Sequence, residues 1–497
     1  MSTSAVLQLD ASKIAFEDPS RTQASTLPVP DPTRSFWIDS PGANPLAGEG
    51  SEGAFTADAD ICIIGSGITG VSAAYHLSLA VERGDIPRLA NSPLRVVILE
   101  ARNFCSGATG RNGGHLTPMV FLDFCAYQSK YGTDQAVRSL ELENHNAAEM
   151  VDLIRSEGWT EAIDLVENGH TTLFFTPSEF AGAKADFAAA QKAGMALPGV
   201  RCWLTKEETH TKYGSEYPSV ELGGFNLWPL KFVTQLYQLA KAKAVNFDLI
   251  LHTRTPATSI SRSSSPSRRW ALHTHRGVLN CSHVIHATNA YASHLLPHMA
   301  GPAGIIPTRG QVMALRASVP GDESFKCSWD GNEGFEYWFP RPIAAGDEAK
   351  PPLIILGGGR EDDPDFEYYQ ADDSVVNPIV GRSLRRFLPS VFPGQFEKDR
   401  EPELEWTGIM AFTKLKDPFV GPVVDQSEFA AGEKFKGQYI SAGYSGHGMP
   451  RAFSCAAIVA GMVVADISGS RWEVPEWFPE VFLTTTPGRS DSPGRKA

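Results

Sequence analysis

The sequence predicts an α/β fold in which a parallel sheet is joined by a second, smaller domain. An apolar run over residues 60–64 is followed by a glycine-rich turn, and a helical pattern over 68–81 begins inside that turn. A second apolar run, over 95–99, closes the unit. Strand, turn, helix and strand in this order make a βαβ unit, which implies that the two strands are parallel.

Further strands and helices are predicted at intervals along the chain. Apolar residues at helical spacing predict helices, and short apolar or alternating runs predict strands. The predicted helices are 141–154, 180–196 and 451–467, and the predicted strands are 247–251, 270–275, 283–286, 352–356 and 438–441. Surface insertions are expected at 83–93, 261–269 and 344–352. The tail from Thr484 is expected to be disordered, because it is rich in Pro, Gly and Ser.

The first 55 residues predict an extended arm, because they are rich in Pro, Ser, Asp and Gly and show no sustained periodicity. One strongly apolar patch, residues 35–38, interrupts the arm. Two interpretations of the patch are open: it pins the arm to the body of the protein, or it belongs to a loosely packed loop.

Length and composition are those of a globular protein with two or three domains. The chain has 497 residues, of which 42% are hydrophobic and 20% are charged. Lys plus Arg number 44 against 57 Asp plus Glu, for a net charge of −13. Because phosphate binding depends on clustered positive charge, nucleic acid is not an expected partner.

The cysteines and the apolar runs predict a cytoplasmic protein without membrane or metal. The seven cysteines include no CxxC pair and most lie beside apolar residues, which favours reduced core thiols. His294 and His298 have the spacing of a metal pair on a helix, but Pro297 stands between them, so no metal is predicted. No signal peptide is recognised, and the longest apolar run, 456–465, is shorter than the about 20 residues of a membrane span.

The turn after the first strand is a dinucleotide-binding motif, Gly65-Ser66-Gly67-Ile68-Thr69-Gly70. Its first glycine permits the tight turn, the second lets the backbone approach a pyrophosphate, and the third lets the helix pack on the strand. The helix N-terminus offers N–H groups and a positive dipole end to the phosphates. The second strand ends in Glu100, an acid placed to bind a ribose, although it follows Gly70 by 30 residues rather than about 20.

A second glycine-rich loop directly after Glu100 favours FAD over a nicotinamide cofactor. Residues 101–115 read ARNFCSGATGRNGGH. A nicotinamide domain would normally continue into another crossover helix. FAD has two nucleotide halves and a bulky ring, so a longer stretch of the chain must surround it. A nicotinamide dehydrogenase remains a minor alternative, which titration with NADH would test.

These motifs resemble the FAD-dependent amine and amino-acid oxidoreductase family, which includes D-amino-acid oxidase, glycine oxidase and sarcosine oxidase. The resemblance covers about residues 57–467, and the stretch GATGRNGGH at 107–115 is most similar to the γ-glutamylputrescine oxidase branch. Four more stretches carry it: SHVIHATNAY at 282–291, PTRGQ at 307–311, the segment 406–422, and SAGYSGHGMP at 441–450. In the family, the helix that follows the last stretch points its N-terminus toward the pyrimidine end of the flavin.

The resemblance implies a Rossmann-like FAD-binding domain with a parallel sheet and a smaller α+β substrate domain with a mixed or antiparallel sheet. The expected divisions are an N-terminal arm at 1–55, an FAD-binding domain at 56–120, 230–304 and 405–470, a substrate domain at 121–229 and 305–404, and a C-terminal segment at 471–497. Some family members attach the flavin to a cysteine just after the strand that here contains Trp406 and Thr407. No cysteine stands there, and Cys327 lies well upstream, so the FAD is expected to be noncovalently bound.

The site residues are predicted from the glycine-rich stretches and from the resemblance. The expected FAD-binding residues are Gly65, Ser66, Gly67, Ile68, Thr69, Gly70, Glu100, Ala101, Arg102, Gly107, Ala108, Thr109, Gly110, Arg111, Asn112, Gly113, Gly114, Ala257, Ala287, Thr288, Gly446, His447, Gly448 and Met449. The catalytic candidates are Arg111, Asn112, His115, Tyr337 and His447.

Residues 336–341 are expected to belong to a strand of the substrate domain. Arg341 is interpreted either as a clamp for a substrate carboxylate or as a surface cation. Tyr337 and Trp338 fit a substrate cage or simple core packing equally well. Arg309 fits a structural role on its strand.

The function implied by the resemblance is the oxidation of a C–N bond of an amine or amino acid, by hydride transfer to flavin N5. Electrons would then pass to O2 and give H2O2. One alternative is a flavin dehydrogenase with another acceptor, or a tailoring oxidase that acts on another bond in a biosynthetic pathway. A second is a flavin-binding protein without redox turnover. The sequence identifies neither the small-molecule substrate nor the oligomeric state.

Overall fold

The computed structural model describes residues 12–18, 20–86, 92–320, 326–343, 350–425 and 433–486. Parts of the insertions expected at 83–93 and 344–352 lie outside these residues, as does the tail from residue 487 onward. The expectation of disorder is wrong at the start of the tail. Thr484 is buried, and its hydroxyl donates to the Pro422 carbonyl at 2.7 Å.

The first sheet has six strands and contains the predicted βαβ unit. With strands numbered in chain order, its spatial order is β18 (Phe419–Pro422), β19 (Gln438–Ala442), β12 (His283–His286), β1 (Ile61–Ile64), β2 (Leu94–Leu99) and β8 (Phe247–His252). All neighbouring strands are parallel except β18 and β19. The parallel pairing of β1 with β2 confirms the prediction from the apolar runs.

The central strands of this sheet are buried along their whole length, and helices pack against one of its faces. All four residues of β1 and of β12 are buried. Helices are also numbered in chain order, and α2 (Ile68–Arg83) connects β1 to β2. It packs against α7 (Pro229–Lys243) and α10 (Ala452–Ser468). The largest apolar core of the described residues lies around these helices and the sheet.

The second sheet has eight strands and is mostly antiparallel. Its spatial order is β17 (Leu404–Phe412), β13 (Ile306–Arg316), β16 (Leu353–Gly357), β15 (Glu336–Pro340), β14 (Ser328–Gly331), β4 (His170–Leu173), β6 (Ser219–Leu222) and β5 (Val200–Leu204). Only β14 and β4 pair in parallel. A parallel sheet and a mixed sheet therefore occur together, as the sequence predicts.

Smaller elements complete the described part of the chain. Strands β9 (Ser259–Arg262), β10 (Trp270–Thr274) and β11 (Gly277–Cys281) form an antiparallel sheet, and β3 (His115–Leu116) pairs with β7 (Phe225–Asn226). The remaining helices are α1 (Phe36–Asp39), α3 (Phe124–Tyr131), α4 (Thr133–Ser156), α5 (Pro177–Lys192), α6 (Lys206–Tyr213), α8 (Ala292–Leu295) and α9 (Pro378–Val391). Helix α5 begins earlier than predicted because the Thr176 hydroxyl caps it and Pro177 follows in its first turn.

The apolar patch of the arm pins it to the body of the protein. Trp37 is fully buried, and its ring contacts the rings of Trp228 and Phe339. Its indole N–H donates to the Asn112 carbonyl at 2.5 Å. The interpretation of residues 35–38 as a loosely packed loop is therefore wrong. Among the described residues, no helix combines the length and the hydrophobicity that a membrane span requires.

Candidate active site

The carboxyl ends of three neighbouring strands meet at one edge of the first sheet. Gly65 follows β1, Glu100 follows β2 and Ala287 follows β12. The chain passes from β1 to β2 on one side, whereas β12 lies on the other side of β1. A crevice therefore opens at the end of β1, which is where open parallel sheets bind ligands.

A cavity of about 1360 Å³ begins at this crevice and reaches the second sheet. It exceeds the roughly 300–1,000 Å³ of an ordinary small-molecule site, so a dinucleotide and a substrate can share it. The predicted FAD-binding residues line it, except Ser66, Gly70, Gly110 and Gly114. The catalytic candidates Arg111, Asn112, His115, Tyr337 and His447 all line it as well.

The four residues that do not line the cavity lie behind its wall. The Ser66 backbone N–H and hydroxyl donate to Oε2 of Glu100, at 3.0 and 2.7 Å. At Gly70 and Gly110, a Cβ would lie within 2.4 Å of a backbone oxygen, and at Gly114 it would lie 2.9 Å from one. These residues set the path of the backbone rather than the surface of the cavity.

The dinucleotide turn has the backbone that its glycines predict. Gly65 has φ +107°, and a Cβ there would lie 2.6 Å from the Ala287 carbonyl oxygen. Only glycine fits such a conformation and approach without strain. Oε1 of Glu100 accepts a hydrogen bond from the backbone N–H of Arg102 at 2.9 Å, so both carboxylate oxygens are held by neighbouring backbone N–H groups. Each oxygen retains lone pairs that a sugar hydroxyl can use.

Arg102 and Arg111 are fixed by protein partners. The Arg102 guanidinium donates to both carboxylate oxygens of buried Asp373, at 2.9 and 3.1 Å. Arg111 donates to the Thr33 carbonyl of the arm at 2.6 Å and to the Thr407 carbonyl of β17 at 2.8 Å. Burial lowers the pKa of Arg111 to about 10, so it stays charged at neutral pH. This arginine ties the glycine-rich loop to both the arm and the second sheet.

The rings of His115 and Tyr337 meet edge-on beside the glycine-rich loop. Their rings are 5.4 Å apart, and Tyr337 fills the space where a Cβ of Gly113 would lie. Nδ1 of His115 lies 3.2 Å from the Gly113 carbonyl oxygen. Burial lowers the pKa of His115 to about 4 and raises that of Tyr337 to about 12. Both side chains are therefore neutral at physiological pH.

Asn112 acts within its own loop. Its side-chain oxygen accepts from the Gly114 N–H at 2.8 Å, and its carbonyl accepts from Trp37. These bonds hold the bend that brings residues 111–113 to the cavity wall.

The turn at 446–449 is held by a buried ion pair that the sequence did not indicate. Glu143 of α4 is fully buried and accepts from Nε of Arg451 at 2.7 Å. Nδ1 of His447 lies 3.3 Å from the same carboxylate. Burial by itself raises the pKa of Glu143, but Arg451 and His447 together lower it to about 2. Glu143 lies in the middle of a long helix and carries no motif that sequence reasoning could have used.

A pair of ionisable residues on the second sheet lines the cavity and was not predicted. Nε2 of His170 on β4 lies 3.1 Å from Asp330 on β14, and Nδ1 lies 2.9 Å from the Ser328 hydroxyl. Burial alone raises the pKa of Asp330, but the nearby His170 brings it below its ordinary value. The rings of His170 and His115 are 6.1 Å apart. The pair thus adjoins the predicted candidate His115.

Arg360 is a second unpredicted residue of the cavity wall. Its guanidinium lies over the rings of Phe335, Tyr368 and Phe412, at 4.8–5.5 Å from their centroids. No ion pair within the described ranges includes it, and its one side-chain bond there is a long contact of 3.4 Å to the Phe366 carbonyl. Three glycines precede it, and this run is the sequence signal that marks a backbone bend at the position.

Three residues considered in the sequence lie away from the cavity. Arg341 is buried among aromatic rings and donates to Asp164 at 2.5 Å, so it is neither a carboxylate clamp nor a surface cation. Trp338 stacks on Trp329 in a separate core cluster. Arg309 is paired with Glu367, as a structural residue would be.

A family model described as "DAO: FAD dependent oxidoreductase" matches residues 60–462, most of the chain. The chain belongs to this family. Strands and loops of both sheets fall within the matched residues, so the DAO family assignment covers the cavity from the dinucleotide turn to the turn at 446–449.

Two named relatives and a solved structure are similar to this chain over different lengths. The probable oxidoreductase OrdL of Rhizobium meliloti is 24% identical over 432 residues, which are 81% of this chain and 82% of that protein. Gamma-glutamylputrescine oxidoreductase of Escherichia coli is 38% identical over 77 residues, 16% of this chain and 15% of that protein. The crystal structure of glycine oxidase from Geobacillus kaustophilus has a TM-score of 0.59 at 19% identity, covering 84% of this chain and 97% of that one.

The residues of the crevice fit the FAD that the DAO family requires. Gly65, Gly67 and Thr69 line the cavity at the start of α2, where a phosphate finds N–H groups and a positive dipole end. Glu100 stands beside them with the acceptor atoms that a ribose needs. The glycine-rich loop at 107–113 and the turn at 446–449 line the remaining wall. No residue in this set would exclude the cofactor by a buried, uncompensated charge of its own.

Proposed function

We propose that this protein oxidises a C–N bond of a small amine or amino acid and passes the electrons to O2. The observation that carries the proposal is the continuous cavity. Its crevice end has the donors and acceptors of a dinucleotide site, and its other end is lined by His170, Asp330 and Arg360. The relatives named glycine oxidase and gamma-glutamylputrescine oxidoreductase support this substrate class.

The bound FAD would be held by residues 65–69, by Glu100 and by the loops at 107–113 and 446–449. When bound, FAD supplies the hydride acceptor at N5 and the route for electrons to O2, which becomes H2O2. The substrate loses a hydride and a proton and becomes an imine, which water hydrolyses to a carbonyl compound and the free amine or ammonia.

The polar side chains of the substrate end would orient the amine. Burial keeps His115 neutral at physiological pH, so its imidazole can hydrogen-bond a substrate without repelling a cation. Asp330, ionised beside His170, offers a carboxylate to an ammonium group. The reaction requires no side chain that acts as a general acid or base, because the neutral form of the amine can donate the hydride directly.

Arg360 would bind the carboxylate of an amino-acid substrate. A guanidinium that lacks an acidic partner among the described residues and lines a cavity is suited to pair with an incoming anion. The rings around it exclude water and so strengthen the ion pair.

The helix that follows the turn at 446–449 would stabilise negative charge at the cavity. Helix α10 begins at Ala452, directly after that turn, and its N-terminal dipole end is positive. The Glu143–Arg451 pair fixes this end of the helix, so the stabilising charge is in place before the reaction.

We infer that the FAD is noncovalently bound. None of the cysteines lies among the described residues that line the cavity. Precipitation with acid should release all of the yellow colour into the supernatant. Colour that stays with the washed precipitate would contradict noncovalent binding.

The decisive test is an anaerobic screen of amines and amino acids for bleaching of the flavin absorbance. We expect at least one primary or secondary amine to reduce the flavin completely, and air to restore the colour with release of one H2O2 per turnover. The product mass should identify the oxidised carbon. Purified protein that takes up no FAD, or flavin that no amine reduces, would contradict the proposal.

A further inference from the structure

The first described residues of the arm lie at the substrate end of the cavity. Ser12, Lys13, Phe16, Glu17, Leu27 and Pro28 all line it. The arm therefore contributes to the wall at a place far from its anchor at Trp37, whose indole binds the glycine-rich loop.

Specific contacts hold this part of the arm on the second sheet and the loop after it. The Ser12 hydroxyl is 2.8 Å from the Tyr368 hydroxyl, and the Phe16 ring meets the Tyr368 ring edge-on at 5.3 Å. The Tyr369 hydroxyl donates to the Phe16 carbonyl at 2.5 Å. Glu17 forms an ion pair of 3.1 Å with Lys414. Two hydrogen bonds, one ring contact and one ion pair thus place one helical turn of the arm.

Phe16 packs against the aromatic residues that surround Arg360. It is 8% exposed and belongs to a small core cluster with Phe366 and Tyr368, against which Phe335 and Phe412 also pack. Three of these rings, those of Phe335, Tyr368 and Phe412, are the ones over which the Arg360 guanidinium lies. The neighbouring arm residue Ile14 is 75% exposed and points away from this cluster.

We propose that Ser12, Lys13, Phe16 and Glu17 of the arm form a specificity-determining wall, in which the Phe16 ring contacts the substrate group that lies next to Arg360. The inference rests on the proposed function, since it assigns a substrate-contacting role at the same cavity. It predicts a preference for substrates that place a flat apolar group and a carboxylate together, because the chamber offers ring faces and one guanidinium.

Phenylacetate and acetate are suitable probes, because they share the carboxylate and differ in the ring. Binding is measured as the perturbation of the flavin absorbance spectrum in the FAD-loaded, full-length protein. Phe16→Ala should weaken the binding of phenylacetate about two- to ten-fold, the effect of losing one aromatic contact, and should leave acetate unchanged. Ile14→Ala, on the same turn, should bind both probes as the unmodified protein does.

A second measurement follows the opening of the wall without turnover. Quenching of the flavin fluorescence by acrylamide should increase in Phe16→Ala and in Glu17→Lys. Glu17→Lys replaces the ion pair with Lys414 by two ammonium groups that repel each other. The double variant Glu17→Lys with Lys414→Glu should restore the low quenching. This pair keeps the inference testable if removal of the Phe16 ring prevents folding.

The outcomes separate the two proposals. If no amine reduces the flavin, the proposed function fails, whereas the phenylacetate titration still reports on the arm. If Phe16→Ala binds phenylacetate as Ile14→Ala does, or if phenylacetate does not bind the unmodified protein, the specificity wall is contradicted. Unchanged quenching in Glu17→Lys contradicts it as well.

Discussion

The buried carboxylate of Glu143 supports the turn at 446–449 through its contacts with Arg451 and His447. Glu143→Gln removes its charge and leaves the buried Arg451 without its ion-pair partner. We expect a loss of about 3–5 kcal/mol in the free energy of unfolding, the usual cost of breaking a buried pair from one side. Urea denaturation measures it. Glu149→Gln, on the same helix and partly exposed, should change stability by less than about 1 kcal/mol.

The same carboxylate gives stability a defined dependence on pH. The pKa of Glu143 is about 2 in the folded protein, against an ordinary value of 4.5. The stabilising contribution of the carboxylate is therefore complete above about pH 4.5. The contribution is lost as the pH falls from there toward 2. Glu143→Gln should therefore lose less stability than the unmodified protein between pH 6 and pH 3. Equal slopes for the two proteins in this range would contradict the assignment.

Arg360 should determine the affinity for substrates that carry a carboxylate. Arg360→Met removes the guanidinium and keeps an apolar side chain among the rings, so KM should rise about ten- to a hundred-fold, as for a charged hydrogen bond worth about 1.5–3 kcal/mol. Arg360→Lys should recover part of this loss. Arg386→Met, at an exposed position of α9, is the control. Steady-state kinetics with an amine that lacks a carboxylate should show no such increase, and a similar increase there would contradict the role.

His115 is neutral in the folded protein, and this predicts the pH profile of flavin reduction. Its pKa of about 4 lies well below the pH of assay, so protonation of this ring should not appear between pH 6 and 10. The rate should instead rise with pH and level off near the amine pKa of each substrate, because the neutral amine is the hydride donor. Anaerobic stopped-flow absorbance measures the profile. A midpoint near 6.5 that is independent of the substrate would contradict this expectation.

The arm is the element whose importance was hardest to foresee. Its anchor is α1, where Trp37 lies under the glycine-rich loop and donates to Asn112. Trp37→Ala should weaken FAD binding at least about ten-fold, since it removes a hydrogen bond and leaves a cavity beneath the loop. Fluorescence titration of the flavin-free protein with FAD measures the dissociation constant. Ile14→Ala should leave it unchanged, and equal affinity of the two variants would contradict the role of the anchor.

Elements that depend on local pattern were predictable from the sequence, and contacts between distant elements were not. The strand, glycine turn and helix at 61–83 are encoded by neighbouring residues, so their existence and parallel pairing followed directly. The position of Arg341 shows the limit. Its strand was predicted, but its burial among Trp37 and Trp228 depends on residues more than a hundred positions away.

In the candidate site, too, the residues in local motifs were predictable and the residues brought together by distant strands were not. The glycine-rich stretches marked the crevice end of the cavity, because close backbone approaches require glycine. His170 and Asp330 were missed, since each lies on a short strand that carries no motif and they meet only through the pairing of β4 with β14. No spacing in the sequence encodes that pairing.

At the scale of the whole molecule, the cofactor should act as a structural component. The cavity separates the two sheets, and residues from both line it. FAD that binds only the folded state stabilises it by RT ln(1 + [FAD]/Kd), about 2.7 kcal/mol at a hundred-fold excess over Kd. The melting temperature of flavin-free protein should rise steadily as FAD is added, and differential scanning fluorimetry measures this. A melting temperature independent of added FAD would contradict binding in the cavity.

The placement of the arm constrains the order in which the molecule matures. Thr33 is joined to Thr407 and Arg111, and Ser12 meets Tyr368, a contact that spans 356 positions. Because Tyr368 and Thr407 follow these arm residues by 356 and 374 positions, the arm can form both contacts only after most of the chain has been synthesised. Until then Phe16 lacks the Tyr368 ring, and Arg111 of the glycine-rich loop lacks the Thr407 carbonyl. The part of the cavity wall that the arm contributes is therefore completed late in synthesis.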